Sequence, residues 1–400
     1  MHPSSDPLIC PVCGADRPGP ACGACDRRAQ LVLVKREMLV LVVLSITTIA
    51  GFFLTQSVAE ANSRIRLRDA AAWFRASEDQ VASGQVDGAV RALRKASAID
   101  RSNADYRLAL ASALSARADD SLARQLLLGL RELSPESVQV NLQLARIEVR
   151  QLNTAAAVGY YQNALYGQWA ADQLSDLPRI RVELIRYLLD HGRAGQALPE
   201  LLVLSANRTD TGPSDLEMGQ WFVRAGELRR GLDHFARTIA ADPGNAAALE
   251  AAGTAAFDIG DYAAADRYFR AAPITDATGR RRTVTRLVLT KDPLVPRLST
   301  RERRRRLEEG VEHARARLDA CSHAGTAPDG VAKLAGLALD TLAFEYALKK
   351  LPLGGTADVL DDGLRLISQV ESAAVGVCGP SDEFGEAILL IGRRHDVDPS

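Results

Sequence analysis

Four cysteines near the start of the sequence have a spacing that suits a metal ion. They form two Cys-x2-Cys pairs separated by eight residues: Cys10, Cys13, Cys22 and Cys25. Two intervening residues let both thiolates of a pair reach one ion, and Gly14 and Gly23 suit the tight turns because glycine tolerates positive φ. Four thiolates in tetrahedral geometry suit a structural Zn²⁺ and leave no open position for chemistry. The spacing therefore predicts a structural zinc site, with two disulfides or an iron site as the alternatives.

The segment that holds these cysteines is similar to the short zinc ribbons found at the N-termini of many bacterial membrane proteins. The resemblance covers residues 8–27 and implies a small folding or docking module within a ribbon region over 1–30. Arg17, Arg27 and Arg28 are its few basic residues, and residues 8–27 contain no aromatic side chain. This composition gives little support to nucleic-acid binding.

Residues 38–59 form an uncharged apolar run between Glu37 and Glu60. A helix of these 22 residues spans about 33 Å, which is enough to cross the hydrocarbon of a bilayer. A buried core helix is one alternative, but a soluble helix of this length normally has a polar face. A cleaved signal peptide is another, because residues 57–59 read Ser-Val-Ala, a small-x-small pattern. We predict an uncleaved single-pass transmembrane helix, preceded by a basic juxtamembrane linker over 31–37.

The charges that flank this run do not determine its orientation. Four Lys and Arg residues lie within 20 residues on each side, although Lys35 and Arg36 lie closest to the apolar core. Clustered metal-binding thiolates suit a reducing compartment, whereas the distant pair Cys321 and Cys378 suits an oxidising one. We therefore predict a cytoplasmic N-terminus and an extracytoplasmic (periplasmic) repeat region. If Cys321 and Cys378 are exported they can form a disulfide, and if they are cytoplasmic they are two free thiols. The disulfide would close a loop of about 57 residues and stabilise the fold by a few kcal/mol.

The overall composition indicates a helical chain with more than one compact unit. The chain has 400 residues, of which 47% are hydrophobic but only 5% aromatic. Ala, Leu and Val carry the apolar content, and this mixture favours helices that pack through small side chains. The length exceeds one ordinary core, so several units or a repeat array are expected. The net charge of −1 argues against nucleic-acid binding by bulk electrostatics.

A 34-residue repeat follows the apolar run. A small residue recurs in the second half of each unit, at Ala89, Ala123, Ala157, Ala197, Gly231 and Ala265. A large residue follows four positions later, at Leu93, Leu127, Tyr161, Leu201, Phe235 and Phe269. Turn glycines recur at Gly84, Gly192, Gly226 and Gly260, but the third unit lacks one. Within a repeat region over 60–279, the six segments are 70–103, 104–137, 138–171, 178–211, 212–245 and 246–279, with six extra residues before the fourth.

This pattern resembles the tetratricopeptide repeat (TPR) family over about residues 70–279, most clearly where Gly260, Asp261 and Tyr262 precede Ala265. The resemblance implies two antiparallel helices per unit, stacked into an all-α superhelical solenoid with a concave groove. It also implies that the fifth and ninth positions of each unit line that groove: Phe74, Glu78, Leu108, Ser112, Leu142, Arg146, Val182, Arg186, Leu216, Gln220, Glu250 and Thr254. The chaperone-adaptor branch of the family uses Lys and Asn at such positions to hold a C-terminal carboxylate, and none of the twelve is Lys or Asn. Such a groove suits a peptide or helix ligand, unless several of these side chains face neighbouring helices instead.

The last third of the sequence begins with a strongly basic stretch over 280–306, where eleven Lys and Arg residues stand against two acidic ones. We predict a linker, and a helix after Ser299, because Ser299 and Glu302 have capping-box spacing. A solvated linker is the plain interpretation, and contact with anionic lipid or an acidic partner is the sharper one. A helical capping region is expected over 307–400. One of its helices has an apolar face, formed by Leu339, Leu342 and Tyr346.

No motif in the sequence indicates an enzyme. It contains no phosphate-binding glycine loop, no His-Glu-x-x-His and no Gly-x-Ser-x-Gly, and its six histidines lack ligand spacing. We therefore predict a membrane-anchored, non-enzymatic scaffold whose repeats recruit partner proteins for assembly of a cell-envelope complex. The alternatives are a cytoplasmic-facing adaptor that uses 280–306 on lipid or nucleic acid, and an enzyme activity in the last third.

Overall fold

The computed structural model describes residues 9–14, 16, 22–207, 212–322, 328–350 and 357–395. The rest of the predicted ribbon with Arg17, the last four residues of the fourth repeat segment, and residues 323–327, 351–356 and 396–400 of the capping region lie outside these ranges. The described residues form seventeen α-helices, one 3₁₀-helix and no β-strand, besides two isolated β-bridges. The predicted all-α fold is confirmed.

The first helix, α1, runs without interruption over Gly23–Ala82. It contains Cys25, the apolar run and the first helix of the first repeat, and Cys22 is its N-cap residue. Residues 31–37, predicted as the juxtamembrane linker, are helical and continue directly into the apolar run. No proline occurs between Gly23 and Ala82, so no residue there lacks the backbone donor that a helix needs. The first repeat is therefore built on the C-terminal end of the helix that contains the apolar run.

Five more helices follow α1 in the first compact unit, Met1–Trp169. Each packs against the next along the chain, and the second helices of the three pairs begin 34 residues apart, as the sequence period predicts. Their core is aliphatic, with Leu93, Leu127, Leu144 and Ile147 in one buried cluster. The helices are α2 Val86–Ile99, α3 Ala104–Ala116, α4 Asp120–Leu133, α5 Val138–Arg150 and α6 Thr154–Leu165.

The second compact unit, Ala170–Ser400, begins with three more helix pairs. The six residues inserted before the fourth repeat segment lie mostly in a 3₁₀-helix, Ala171–Asp176. The second helices of these pairs again begin 34 residues apart. The six helices are α7 Leu177–Asp190, α8 Ala194–Ala206, α9 Asp215–Arg224, α10 Leu228–Ala241, α11 Ala246–Ile259 and α12 Tyr262–Ala271.

Five further helices complete the second unit and share one apolar core with its last helix pair. This core joins Tyr262 of α12 to Val284, Leu307, Leu364 and Ile391. Burying the end of a repeat array against other helices removes its exposed apolar face from water. The five helices are α13 Asp276–Lys291, α14 Thr300–Ser322, α15 Pro328–Lys350, α16 Ala357–Cys378 and α17 Glu383–Arg394.

The basic stretch over 280–306 is largely not the linker that the sequence predicted. Its first part belongs to α13, which packs against α12 and α17 and buries Val284 and Val288. Apolar residues four positions apart lie on one face of a helix. This face is difficult to recognise in the sequence, because arginines surround Val284 and Val288. The predicted helix start is confirmed, because the Glu302 N–H donates to Ser299 Oγ at 3.2 Å and α14 begins one residue after Ser299.

Small and large residues alternate within the core of all six pairs as the sequence predicted. The five small alanines are fully buried, and a Cβ on Gly231 would lie 2.6 Å from the Val223 side chain. The six large residues are each at most 2% exposed. In both units, therefore, the two helices of a pair approach closely at the small residue, and the large residue fills the neighbouring gap.

The turn inside every helix pair contains one left-handed residue. Its φ is 73°, 68°, 86° and 88° at Gly84, Gly192, Gly226 and Gly260. Ala118 (67°) and Leu152 (58°) occupy the same place in the second and third pairs. The missing glycine of the third repeat therefore leaves the turn unchanged, although an L-residue is disfavoured in this conformation.

Candidate functional site

The four N-terminal cysteines lie together in the structure. Their Sγ atoms are all within 4.8 Å of one another, with Cys10 and Cys25 at 3.8 Å and Cys13 and Cys22 at 3.5 Å. A tetrahedral ion with Zn–S bonds of about 2.3 Å places its sulfurs roughly 3.8 Å apart. The arrangement therefore fits one metal ion with four thiolate ligands, and no other group of three or more His, Cys, Asp or Glu in the described ranges does so.

Two different local structures position these thiols. The first pair is closed by a turn in which the Gly14 N–H donates to the Cys10 carbonyl at 2.9 Å, and Gly14 has a φ of 72°. In the second pair Cys22 is the N-cap residue of α1 and Cys25 lies in its first turn, where the Asp26 N–H donates to the Cys22 carbonyl at 2.9 Å. A turn and a helix start thus meet at one cluster, which suits a structural site with every ligand supplied by the chain.

The backbone around the first pair stabilises a thiolate. The N–H groups of Val12 and Cys13 lower the pKa of Cys10 to about 6. Hydrogen bonds with Cys13 and then Cys10 raise the pKa of Cys25 to about 12. Metal ligation requires thiolates, so uptake of a thiophilic cation by these four cysteines releases protons.

The predicted groove residues differ in how much surface they offer. Glu78, Arg186 and Gln220 are exposed. Eight are half-buried: Phe74, Leu108, Ser112, Arg146, Val182, Leu216, Glu250 and Thr254. The prediction that Leu142 lines the groove is wrong, because its side chain is only 5% exposed and lies on the buried side of α5. Helix packing in the first unit covers Leu142. Nothing in the sequence distinguishes it from the groove positions of the other repeats.

Groove positions in the first unit also contact the neighbouring repeat. The rings of Phe74 and Tyr106 lie 5.0 Å apart at 31°. The Gln143 amide donates to Ser112 Oγ across the α3 and α5 helices. These contacts link adjacent pairs and leave only part of each side chain for a ligand.

In the second unit two groove positions line an open pocket of about 420 Å³. Val182 and Arg186 form one wall, and Arg186 donates to Glu217 at 3.1 Å. The Arg186 guanidinium also lies 5.4 Å from the centre of the Trp221 ring. The remaining lining, which the repeat positions did not identify, consists of Ser175, Asp176, Pro178, Arg179, Gly212 and Pro213. Ser175 and Asp176 come from the inserted segment, Pro178 and Arg179 from the first turn of α7, and Gly212 and Pro213 from the loop before α9.

Most charges of the basic stretch are neutralised within the second unit. Carboxylates pair with Arg280, Arg281, Lys291, Arg304, Arg305 and Arg306. Arg282 donates to the carbonyls of Ala272 and Pro273. Bonds from Arg305 and then Arg306 lower the pKa of Glu302 to about 2. The hypothesis that 280–306 as a whole contacts anionic lipid or nucleic acid therefore has no support in the structure.

Cys321 and Cys378 form a disulfide with a Cα–Cα distance of 5.5 Å. The bond joins the end of α14 to the end of α16, and 57 residues separate the two cysteines. Arg317 reinforces the same corner by donating to the carbonyls of Gly379 at 2.6 Å and Pro380 at 3.1 Å. The last helices are thus tied covalently and by hydrogen bonds.

The apolar part of α1 is long and apolar enough to cross a membrane. Its side chains, including Leu39, Leu44 and Phe53, are exposed and pack against nothing in the described chain. An exposed apolar surface of this extent indicates contact with something other than water.

No protein-family model matches this chain, and no curated protein matches it. Solved structures do match. YrrB, described as a TPR protein with an unusual peptide-binding site, is 20% identical with a TM-score of 0.37, over 46% of this chain and 91% of that one. Pseudomonas aeruginosa PilF is 20% identical with a TM-score of 0.36, over 51% and 90%. The C-terminal part of a TPR protein from Cytophaga hutchinsonii is 13% identical with a TM-score of 0.39, over 78% and 98%.

At these identities and TM-scores the similarities carry no functional argument. The assignment of the fold rests on the chain's own helix pairs, with their 34-residue period, buried small and large residues and left-handed turns. The described residues have a tetratricopeptide-type repeat fold.

Proposed function

We propose that this protein is a membrane-anchored scaffold whose repeat groove recruits partner proteins for assembly of a cell-envelope complex. The observation that carries the proposal is the open pocket lined by Val182 and Arg186, two positions that the resemblance to the tetratricopeptide repeat assigns to the groove. Prolines, a valine, arginines and carboxylates line this pocket, and such mixed chemistry suits a peptide or helix. The pair between Arg186 and Glu217 is largely exposed, so it is weak and a ligand group can replace either member.

A photo-cross-linking amino acid at Val182 of the full chain, expressed in cells, tests the groove. We expect a discrete adduct with a partner protein, and we expect Arg186→Glu to reduce it strongly. The same cross-linker at Arg230, an exposed residue outside the predicted groove positions, is the control. Equal adducts at both positions, or an adduct indifferent to Arg186→Glu, would contradict the proposal.

The proposed anchor is the apolar run of α1, with the N-terminus in the cytoplasm and the repeats in the periplasm. Support comes from the exposed apolar side chains and from the disulfide at Cys321, a bond that persists in oxidising compartments. In intact spheroplasts we expect added protease to digest the repeat region, and a non-reducing gel to show a mobility shift that needs both Cys321 and Cys378. Protection together with two free thiols would place the repeats in the cytoplasm.

The proposed ligand of the cysteine cluster is one structural Zn²⁺. We expect the purified full chain to contain about one zinc ion by elemental analysis, because four thiolates complete its coordination. Cys13→Ser combined with Cys22→Ser removes one ligand from each pair and is expected to abolish the zinc. Cys321→Ala with Cys378→Ala is the matched control and keeps it. Bound iron, or disulfides within the cluster, would overturn the assignment.

A further inference from the structure

A single helix, α1, joins the apolar run to the first repeat without a loop between them. The apolar run ends at Ala59, and Ala70, the first residue of the first repeat segment, is already fully buried. Residues 60–69 between them form a stalk, whose side chains are exposed apart from half-buried Ser63. A solvated helical segment therefore separates the proposed membrane span from the repeats.

The stalk has physical reasons to remain helical and straight. Neither glycine nor proline occurs between Gly51 and Ser83, so no residue there favours a hinge or a kink. Both neighbours of the stalk are helical, so its helix only propagates and avoids the costly nucleation of an isolated helix. The Arg64 guanidinium also donates to Glu60, one turn earlier, at 3.2 Å. The stalk therefore acts as a rod rather than as a flexible tether.

A rigid stalk fixes the distance between the bilayer and the groove positions of the first repeat. Phe74 and Glu78 belong to α1 itself, fifteen and nineteen residues beyond Ala59. They lie about 23 Å and about 29 Å above the hydrocarbon at a rise of about 1.5 Å per residue. A helix tilt of about 20° lowers both heights by only about 6%. Glu78 is exposed and Phe74 is half-buried beside Tyr106, so this end of the groove offers its surface at a defined height.

This height favours a ligand segment that begins at the same membrane. Lipid headgroups occupy about 5–7 Å above the hydrocarbon, which leaves roughly 20 Å between the bilayer surface and Glu78. A folded domain is about 30 Å across and does not fit into this gap. A chain that leaves a transmembrane helix reaches Glu78 with about ten extended residues. Anchoring in the same membrane also raises the effective concentration of such a segment.

We propose that the groove of the first repeat binds the membrane-proximal segment of an integral membrane protein, and that the stalk sets the height at which the two meet. The inference rests on the anchor and the groove of the proposed function. It adds the class of partner, a protein that crosses the same membrane. It also adds the part of the partner that is bound, the roughly ten to fifteen residues that follow its membrane span.

The height is measured on the full chain in phosphatidylcholine nanodiscs. A fluorophore on a bio-orthogonal amino acid replaces Ser83, the exposed C-cap of α1, and the lipid headgroups carry the acceptor. We expect energy transfer that corresponds to about 36 Å above the hydrocarbon. An insert of about 18 helix-forming Glu, Ala and Lys residues between Ala61 and Asn62 should raise this height by about 27 Å. A height that the insert leaves unchanged would overturn the proposal.

The partner is tested in cells that express the full chain with a photo-cross-linking amino acid in place of Glu78. We expect an adduct with a protein that stays in the membrane after an alkaline carbonate wash. The helical insert should reduce this adduct about tenfold, whereas a Gly-Ser insert of the same length lets the repeats stay near the bilayer and should retain most of it. The cross-linker in place of Arg91, which is exposed on α2 outside the groove positions, is the control and should give no such adduct.

The outcomes separate this inference from the proposed function. An adduct that the carbonate wash releases, or one that the helical insert leaves unchanged, would overturn the inference and leave the groove as a binding surface. Equal loss of the adduct with both inserts would also overturn it, because the height would then not be the cause. An adduct with a second copy of the chain would assign this end of the groove to self-association. Adducts at neither Glu78 nor Val182 would contradict the proposed groove itself.

Discussion

At the scale of single residues, the most unusual feature is the pair of non-glycine residues in left-handed turns. Ala118 and Leu152 hold the conformation that glycine holds in the other four pairs. An L-residue loses roughly 1–2 kcal/mol in this conformation. The cores of the surrounding helix pairs therefore impose the turn on a residue that does not favour it.

Replacing Leu152 by glycine should stabilise the protein. Leu152 is 77% exposed, so few contacts are lost, and relief of the left-handed conformation should raise the free energy of unfolding by about 1 kcal/mol after the entropy of glycine is counted. Urea denaturation followed by circular dichroism measures the change. Gly192→Ala is the reverse control and should destabilise by a similar amount, because nothing lies within 4 Å of the added Cβ. If Leu152→Gly unfolds at a lower urea concentration than the wild-type protein, the exposed leucine side chain has a packing role.

A buried ion pair in the fourth repeat gives a second prediction at this scale. Arg181 Nε donates to Glu200 Oε2 at 2.9 Å, and both side chains are 8% exposed. Glu200→Ala leaves a buried guanidinium without its carboxylate and should destabilise by about 3–5 kcal/mol in urea denaturation. Arg181→Met combined with Glu200→Leu should recover most of this loss. If the double variant is as unstable as the single one, packing rather than the uncompensated charge explains the effect.

At the scale of helices, two of the large residues leave no room for a side chain at one position of the facing helix. A Cβ on Gly219 would lie 2.5 Å from the Phe235 ring, and one on Gly253 would lie 2.6 Å from the Phe269 ring. In the second pair the corresponding positions hold the smaller Leu127 with an alanine, and both are fully buried. The two fully buried phenylalanines therefore require glycine in the opposing helix.

Substitution of Gly253 and Phe269, singly and together, should show that their effects on the free energy of unfolding are coupled. Gly253→Ala should lower the free energy of unfolding by about 1–3 kcal/mol, because the added methyl overlaps a ring that cannot move in a filled core. Adding Phe269→Leu should restore part of this loss, since alanine faces leucine in the second pair. The double-mutant cycle is measured by urea denaturation, with a coupling of at least about 0.5 kcal/mol expected for residues in contact. Additive effects would mean that the backbone, rather than the ring, accommodates the methyl group.

At the scale of the whole molecule, the chain contains two compact units with separate cores. The clusters around Leu127 and around Leu364 share no residue. In the second unit, contacts between distant parts of the sequence close the structure, such as Arg280 with Glu386 and the Cys321–Cys378 disulfide. The last described helices are thus held together by contacts between residues that are distant in sequence.

Removal of the disulfide should loosen only the second unit. Cys321→Ala with Cys378→Ala frees a loop of 57 residues, and the loss is expected to be about 2–4 kcal/mol. Hydrogen exchange should therefore accelerate in α14 and α16 and remain unchanged in α2 to α6. Wild-type protein treated with a reductant should reproduce the pattern. Faster exchange throughout both units would show that they unfold together.

Local patterns determined much of this protein from its sequence. The 34-residue period predicted the helix pairs, because a helix hairpin is specified by its own small, large and turn residues. The four cysteines were predicted as one cluster for the same reason, since two short pairs need only a turn each to converge. The helix start after Ser299 also followed from two residues three positions apart.

Contacts between residues distant in sequence determined the features that the sequence did not predict. The sequence predicted a linker over 280–306, but Val284 and Val288 and the arginines around them find partners on helices that are distant in sequence. The burial of Leu142 and the exposure of Leu339 are equally invisible in the sequence, because both are apolar residues on amphipathic helices. Only the neighbours in space determine which face of such a helix is covered, and the repeat period says nothing about neighbours outside the repeat.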